Sequence, residues 1–246
     1  MKETWDIVIK YRQHSYRMGV NERIHSIHEA VRFVNERGFI FFWPGKDIPL
    51  PSLWNAVVGD RPVPNEHDDP GHITWDWKDT LLDKKVWYYG RVLDNRNTFI
   101  SLELLPYFYA LSPNFGDYEH DYIELYEQGK LTQSAKRMYE VLLQEGPLDS
   151  LALRKSARLS STQYKSLFVK SLNELQKIFY ILPVGISHVG GWRYAFVYDI
   201  PARYYPNLVN ETRNVSFQDA RIRLAEMYLK SVGAALPRYF KRLFQW

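Results

Sequence analysis

Apolar residues recur every three or four positions in three consecutive stretches of the second half of the chain. The first stretch predicts a helix that stops at Gly146-Pro147, and Asp149 is the expected N-cap of a second helix. Ser160 and Gln163 have the spacing of a capping box, which predicts the start of a third helix. The apolar faces of the first and third helices consist of Leu131, Ala135, Met138 and Leu142, and of Phe168, Leu172, Leu175 and Phe179.

Two segments rich in aromatic and β-branched residues follow these helices, separated by a loop that contains glycine. They run from Tyr180 to Val184 and from Trp192 to Tyr198, which predicts a hairpin. Three helices followed by a two-stranded hairpin is the order of elements in a winged helix. The pattern therefore predicts a winged-helix domain at residues 130–203, in a fold that is mainly α with small β-hairpins (α+β).

The pattern divides the rest of the chain into two further parts. Residues 1–129 are predicted to form an aromatic-rich, acidic domain, winged-helix-like, with a helix at 21–36 and a hairpin around Asp94-Asn95-Arg96. Residues 204–246 are predicted to form a basic helical pair that begins at Ser216. This pair is either an incomplete third winged helix or a helical hairpin packed on the domain. The overall expectation is a tandem winged-helix architecture.

Aromatic residues are numerous, at 16% of the chain, and several fall near a run that proline interrupts at Pro44. The run Gly38–Gly45 is compatible with a buried strand or with a wall of rings that lines a cleft. We expect an aromatic cleft built from Phe41, Trp43, Trp75 and Trp77.

Composition narrows the class of protein. The chain has no cysteine, which excludes disulfides, thiol catalysis and zinc fingers. It has no run near 18 apolar residues and no recognisable signal peptide, so we expect a cytoplasmic protein without a membrane partner. Residues 1–129 hold 14 Lys and Arg against 20 Asp and Glu, a balance of −6, whereas residues 130–246 hold 18 against 8, a balance of +10. The basic half favours a polyanionic partner, although a solvated basic surface is the alternative.

The third predicted helix carries a polar stripe opposite its apolar face. Gln and Asn side chains read base edges in a major groove, and Lys contacts phosphate, so the stripe suits a helix that enters duplex DNA. Basic side chains on the second helix and at the wing, together with His188 and Trp192, would contact the flanking backbone. The alternative is that any surface helix shows such a stripe and that the domain binds protein. The predicted contacts are Gln163, Ser166, Lys170, Asn173 and Lys177 on the third helix, and Arg154, Lys155, Arg158 and Arg193 beside it.

The densest polar cluster is the loop Asn65–His72. His67, Asp68 and Asp69 are of the types that general acid–base catalysis needs, although a solvated turn beside Pro-Gly has the same composition. His25 and His28 are spaced one helical turn apart, but no third metal ligand is near them in the sequence. We therefore predict catalytic roles for His67, Asp68 and Asp69, and neither a metal nor a cofactor.

The order of these features resembles the AlkZ/YcaQ family of bacterial winged-helix DNA glycosylases and its AlkZ-related members. The resemblance covers residues 22–246: an N-terminal helix, a Trp-rich middle, Leu131–Val197 as a winged helix, and the tail segment Ala220–Lys230. It implies tandem winged helices around a DNA channel, double-stranded DNA as partner, and excision of alkylated or crosslinked bases.

The family's catalytic motif, Gln-x-Gln or Gln-x-Asp, follows the first long helix, where this chain reads Phe41-Phe42-Trp43. If base excision occurs, Asp47 or a carboxylate of the 66–69 cluster would have to replace that motif, and Asp68 or Asp69 would activate water for hydrolysis of an N-glycosidic bond. Two alternatives stay open. The chain could be a regulator or damage sensor that binds DNA without chemistry, or a protein-interaction module that dimerises through the winged helix.

Overall fold

A computed structural model describes residues 2–45, 47–66, 68–113 and 116–245. The fold is mixed, with 54% of residues in helices and 12% in strands, and contains two three-stranded antiparallel sheets. Small sheets among many helices agree with the predicted α+β class. His67, one of the three residues predicted to be catalytic, lies outside the described residues.

The first half is built around one of these sheets. Its strand order is β1-β3-β2, and β2 and β3 form the predicted hairpin. Two short helices follow it. The elements are α1 (Lys2–Ser15), α2 (Ile27–Arg37), β1 (Phe39–Phe41), α3 (Leu53–Val58), α4 (Ile73–Leu81), β2 (Tyr88–Leu93), β3 (Arg96–Ile100), α5 (Leu105–Ala110) and α6 (Asp121–Glu127).

The second half contains the other sheet, with strand order β4-β6-β5, followed by a helical tail. The three predicted helices are present, and a strand of two residues lies between the first and the second. The elements are α7 (Gln133–Glu145), β4 (Leu148–Asp149), α8 (Ser150–Ser156), α9 (Lys165–Lys177), β5 (Leu182–Ser187), β6 (Ala195–Asp199), α10 (Pro201–Tyr204), α11 (Leu208–Thr212), α12 (Phe217–Val232) and α13 (Pro237–Phe244).

The two halves repeat one topology. In each half a helix leads into a short strand, two helices follow, and a hairpin closes the unit. In each half the first strand pairs with the last: Phe39–Phe41 with Thr98–Ile100, and Leu148-Asp149 with Val197-Tyr198. The elements α2-β1-α3-α4-β2-β3 therefore correspond in order and pairing to α7-β4-α8-α9-β5-β6.

Side-chain caps fix where several of the helices begin. Ser52, Asp149 and Ser216 cap α3, α8 and α12, and each accepts a hydrogen bond from a backbone N–H of the first turn. The sequence predicted helix starts at Asp149 and Ser216. Gly38 ends α2 with φ +76°, and a Cβ there would lie 2.4 Å from Leu104 Cδ1. No other residue type fits that close approach, so α2 turns sharply into β1.

Two local predictions are wrong. The helix predicted for 21–36 begins only at Ile27. Helix α9 begins at Lys165 after a 3-10 turn whose N-cap, Ser161, makes no side-chain hydrogen bond, so the predicted Ser160–Gln163 capping box is absent. Pro106 lies in the first turn of α5, where proline fits without bending the helix. In α12, Leu224 and Tyr228 are buried, whereas Ile222 and Leu229 are exposed.

One buried cluster joins the two sheets and the tail. Phe39 and Tyr88 of the first sheet, Phe179 and Leu182 of the second half, and Tyr228 of α12 belong to it. Helix α1 packs on α12, where Ser15 Oγ donates to Ser231 O at 2.7 Å. Because this core crosses residues 129 and 203, the elements form a continuous body, and the predicted domain boundaries stay predictions.

Candidate nucleic-acid interface

Helix α9 presents the predicted polar stripe to solvent over most of its length. Phe168, Leu172 and Leu175 are buried on the opposite face, which packs against α7. The outward-facing members of the stripe are Gln163, Ser166, Lys170 and Lys177, all of them exposed. Ser166, Lys170 and Lys177 therefore form an exposed, polar and partly basic face of α9, and Gln163 lies in the 3-10 turn before it.

Asn173 differs from the rest of the stripe because it faces the first half of the chain. Its Oδ1 accepts a bond from Arg91 Nη1 at 3.4 Å, and the neighbouring Gln176 Oε1 accepts from Arg91 N at 3.1 Å. The C-terminal half of α9 is thereby held against β2, and Asn173 is half-buried. The predicted base-reading role of Asn173 would require it to leave Arg91, so the surface open to a ligand centres on Gln163, Ser166 and Lys170.

Arg154 of α8 holds the turn that leads into α9. Its Nε donates to Leu159 O at 2.7 Å and its Nη2 to Ser161 O at 2.8 Å, and the guanidinium lies 5.9 Å from the Phe168 ring centroid. Arg154 thus positions the start of α9, a role that the sequence did not predict. Lys155 and Arg158 are exposed, and Arg158 has φ +57°, a conformation that turns the chain out of α8.

The loop between β5 and β6, which we call the wing (residues 188–194), carries the most exposed large hydrophobic side chain of the described residues. Trp192 is 94% exposed. Gly190 has φ +80° and Arg193 has φ +50°, so the backbone turns tightly on either side of the indole. His188 and Arg193 are exposed, and His188 Nδ1 lies 3.3 Å from Arg193 O. An exposed indole beside a cationic side chain suits a ligand that has both a flat ring, on which the indole can stack, and a negative charge.

The last residue of the wing, Tyr194, is anchored to α4 of the first half. Its OH donates to Asp79 Oδ1 at 3.0 Å and lies 2.9 Å from Lys78 Nζ, which also pairs with Asp79 Oδ1. The Lys78 side chain is only 3% exposed and lies 4.6 Å from the Phe196 ring centroid. Burial lowers the pKa of Lys78, and the Asp79 carboxylate opposes that shift. We call Lys78, Asp79 and Tyr194 the bridge triad.

One feature of the sequence points to the bridge triad. Lys78 follows Thr74 by one turn on the buried face of α4, a position where lysine is found only with a partner. The partner comes from 116 residues away and could not be read from α4 alone.

Two of the four residues predicted to line an aromatic cleft come together, and two do not. Phe41 and Trp77 are buried in the core, because β1 is fully enclosed and Trp77 faces inward from α4, so their assignment to the cleft is wrong. Trp43 and Trp75 come together as predicted, with ring centroids 6.1 Å apart. The His72 ring stacks on the Trp75 ring with centroids 5.8 Å apart, and the centroid of the Trp54 ring lies 5.7 Å from that of His72. We call Trp43, Trp54, His72 and Trp75 the aromatic cluster.

The polar loop before α4 supports the aromatic cluster. Asp69 Oδ1 accepts from Arg61 Nη2 at 2.6 Å and from Gly71 N at 2.7 Å, and its Oδ2 accepts from Arg61 Nη1 at 2.8 Å. These hydrogen bonds lower the pKa of Asp69, and the bond from Arg61 has the largest effect. Arg61 in turn lies over the Trp54 ring, 5.0 Å from its centroid. Both Asp69 oxygens are occupied, so the structure gives this carboxylate a scaffolding role, whereas Asp68 is exposed.

Two further observations concern metal ions and membranes. His25 precedes the N-cap of α2 instead of sharing a helical turn with His28, and within the described ranges no three His, Asp or Glu side chains are grouped as metal ligands. Among the helices of those ranges, none has the length and apolarity needed to cross a bilayer.

A sequence model of the AlkZ-related family matches residues 24–245, nearly the whole chain. The chain belongs to the AlkZ-related family. No curated protein and no solved structure matches it. Membership confirms the resemblance seen in the sequence and relates the chain to DNA glycosylases.

For this AlkZ-related chain, the segment expected at the position of the family's catalytic motif lies beside the aromatic cluster. β1 ends at Phe41, Phe42 is buried, and Trp43 packs edge-on against Phe42 at 4.4 Å while its ring also faces His72. The end of β1 and the start of α4 therefore meet at the aromatic cluster. The bridge triad lies further along α4.

Proposed function

We propose that this AlkZ-related chain binds double-stranded DNA through two winged helices in tandem. The repeated topology supports the tandem assignment: each half is a helix-strand-helix-helix-hairpin unit in which the first strand pairs with the last. In such a unit the third helix enters the major groove and the hairpin loop contacts the flanking backbone. These elements are α9 and the wing in the second half.

The observation that carries the proposal is the exposed stripe of α9. Ser166 and Lys170 project from the third helix of the basic half and Gln163 from the 3-10 turn before it, and the three side chains make no hydrogen bond with the described residues. Lys155, Arg158 and Arg193 are exposed on α8 and the wing. Polar donors flanked by cations match the two needs of duplex recognition, which are base-edge readout and phosphate neutralisation.

Fluorescence anisotropy of a labelled duplex, titrated at several salt concentrations, tests the proposal. We expect log affinity to fall linearly with log salt, because each neutralised phosphate releases counterions, with a slope of about −0.9 per phosphate contact. The double substitution Lys170→Ala and Lys177→Ala should weaken binding to all sequences and reduce the slope by about 2.

The matched control is Lys10→Ala, which removes an exposed charge from α1, a helix that packs on α12. It should leave both affinity and slope close to those of the wild type. Absent or salt-independent binding would contradict the proposal. An equal effect of the control would place the DNA surface elsewhere than α9.

A further inference from the structure

Beyond DNA binding, we propose that the outer face of α4 is a docking site for an arginine-bearing segment of a partner protein. Helix α4 has the position in the first unit of the repeat that α9 has in the second. Its outward side chains include Ile73, Trp75 and Asp76, all of them exposed. The outer face of this third helix is therefore apolar and acidic, whereas that of α9 is polar and basic.

The charge of this surface opposes a phosphate backbone and favours a cation. Residues 61–79 hold five Asp or Glu against two Lys or Arg, a balance of −3. Both cations are already paired, Arg61 with Asp69 and Lys78 with Asp79. The remaining carboxylates are exposed and make no ion pair with the described residues; they belong to Glu66, Asp68 and Asp76. Like charges brought together at an interface repel, so a cationic partner suits this face better than DNA does.

An exposed aromatic surface lies beside these carboxylates. Trp75 is 42% exposed, and the half-buried rings of His72 and Trp43 lie next to it, with centroids 5.8 and 6.1 Å from that of Trp75. His72, Trp75 and Asp76 are three and four residues apart, so they share one side of the helical segment that runs from Pro70 through α4. The face of an indole ring attracts a cation, and a neighbouring carboxylate adds to that attraction.

The aromatic cluster already holds one guanidinium in this way. Arg61 lies over the Trp54 ring, 5.0 Å from its centroid, and donates to both oxygens of Asp69. Trp75 and Asp76 offer the same two groups, an indole and a carboxylate, to a guanidinium from outside the chain. Arginine suits such a site better than lysine, because its planar group stacks on a ring and donates to a carboxylate at the same time.

The docking face lies close to the wing. Asp79, one turn beyond Trp75 on α4, accepts a hydrogen bond from Tyr194 at the end of the wing. A segment docked on α4 would therefore lie next to the wing, on the acidic side of the bridge triad. The chain would then hold a partner protein beside the DNA that the basic half binds.

Fluorescence anisotropy of a labelled peptide of Arg-Gly-Gly repeats, at an ionic strength of about 0.15 M, tests the inference. The comparison peptides replace arginine by lysine or by citrulline, which keeps the shape of arginine and removes its charge. We expect affinity to fall from the arginine to the lysine to the citrulline peptide. Trp75→Ala should weaken binding of the arginine peptide by about 2- to 30-fold, the range of a cation–π contact, and Asp76→Asn by about 1.5- to 5-fold, the range of an exposed ion pair.

The matched control is Trp192→Ala, which removes an exposed indole from the basic half of the chain. It should leave the affinity for the arginine peptide unchanged, and Trp75→Ala should bind duplex DNA as the wild type does. Melting followed by circular dichroism checks that the variants fold. If Trp75→Ala does not fold, Asp76→Lys decides, because it reverses an exposed charge outside the core and should abolish binding of the arginine peptide.

The outcomes separate this inference from the proposed function. Equal affinity for the arginine and citrulline peptides, or equal losses from Trp75→Ala and Trp192→Ala, would overturn the inference. Loss of duplex binding in Trp75→Ala would assign the face of α4 to DNA instead, and self-association of the wild type that the arginine peptide reverses would assign it to a second copy of the chain. Peptide binding by a protein that does not bind duplex DNA would leave the inference standing and remove the proposed function.

Discussion

A methyl group added at position 71 should weaken the support of the aromatic cluster. Gly71 is buried where the polar loop turns into α4, and a Cβ there would lie 2.7 Å from Val58 Cγ1 and 2.8 Å from Trp54 Cη2 and Cζ3. Trp54 is fully buried and its Nε1 donates to Arg61 O at 2.9 Å, so the ring cannot simply move aside. Overpacking of this kind costs about 1–3 kcal/mol.

For a chain of this size, 1 kcal/mol corresponds to a change in Tm of about 2–4 °C. A mid-range cost of about 2 kcal/mol therefore predicts that Gly71→Ala lowers Tm by about 4–8 °C, measured by circular dichroism, with a change in tryptophan emission as Trp54 shifts. The loss should appear in the free energy of unfolding and not as a change of salt slope in DNA binding, because α9 is untouched.

Gly185→Ala is the matched control. A Cβ at Gly185 meets no heavy atom within 4 Å, and this strand residue has no positive φ. Its Tm should stay within about 2 °C of wild type, since uncrowded surface changes cost less than about 0.5 kcal/mol. If Gly71→Ala melts together with Gly185→Ala, the polar loop does not press on Trp54, and the packing described for the aromatic cluster is wrong.

Three further predictions concern other parts of the chain. Trp192→Ala should leave Tm unchanged but weaken duplex binding by about 5- to 150-fold in anisotropy, because stacking on a base is worth about 1–3 kcal/mol. Equal affinities would show that the tip of the wing does not contribute to binding. Asp149→Ala removes the bonds to Leu151 N and Ala152 N and should cost about 1 kcal/mol in denaturant unfolding, whereas Asp149→Ser should keep most of it. Burial raises the pKa of Tyr88 and Tyr198 above 10, so the unfolded chain loses these protons first. Stability should therefore fall above about pH 10, by about 1.4 kcal/mol per pH unit for each such tyrosine, and tyrosinate absorbance should rise only together with unfolding.

Local signals in the sequence identified most of the elements. Asp149, Ser52 and Ser216 cap helices because a short polar side chain satisfies first-turn N–H groups wherever the backbone enters a helix, independent of the rest of the fold. The hairpin at Asp94-Asn95 is also local, since both residues adopt positive φ. The apolar face of α9 was predictable for the same reason, as its period of three to four needs no distant partner.

Features that depend on distant partners escaped prediction. β4 has two residues and becomes a strand only because Leu148 and Asp149 pair with Tyr198 and Val197, which lie about 50 residues later. Trp77 and Trp75 look alike in sequence, yet the neighbours of α4 bury one and expose the other. Asp69 looked free to act on water until Arg61 was found to bind both of its oxygens.

The packing of α1 on α12 imposes a delay on the growing chain. Tyr11 OH donates to Lys230 O, Arg12 Nε to Val232 O and Ser15 Oγ to Ser231 O, across separations of 216 to 220 residues. A ribosome that adds about 5–20 residues per second needs roughly 10–45 s between these segments. During that interval α1 must stay out of non-native contacts while both sheets form behind it. The three bonds can form only after α12 has been synthesised, so a chain that stalls before α12 leaves α1 without them.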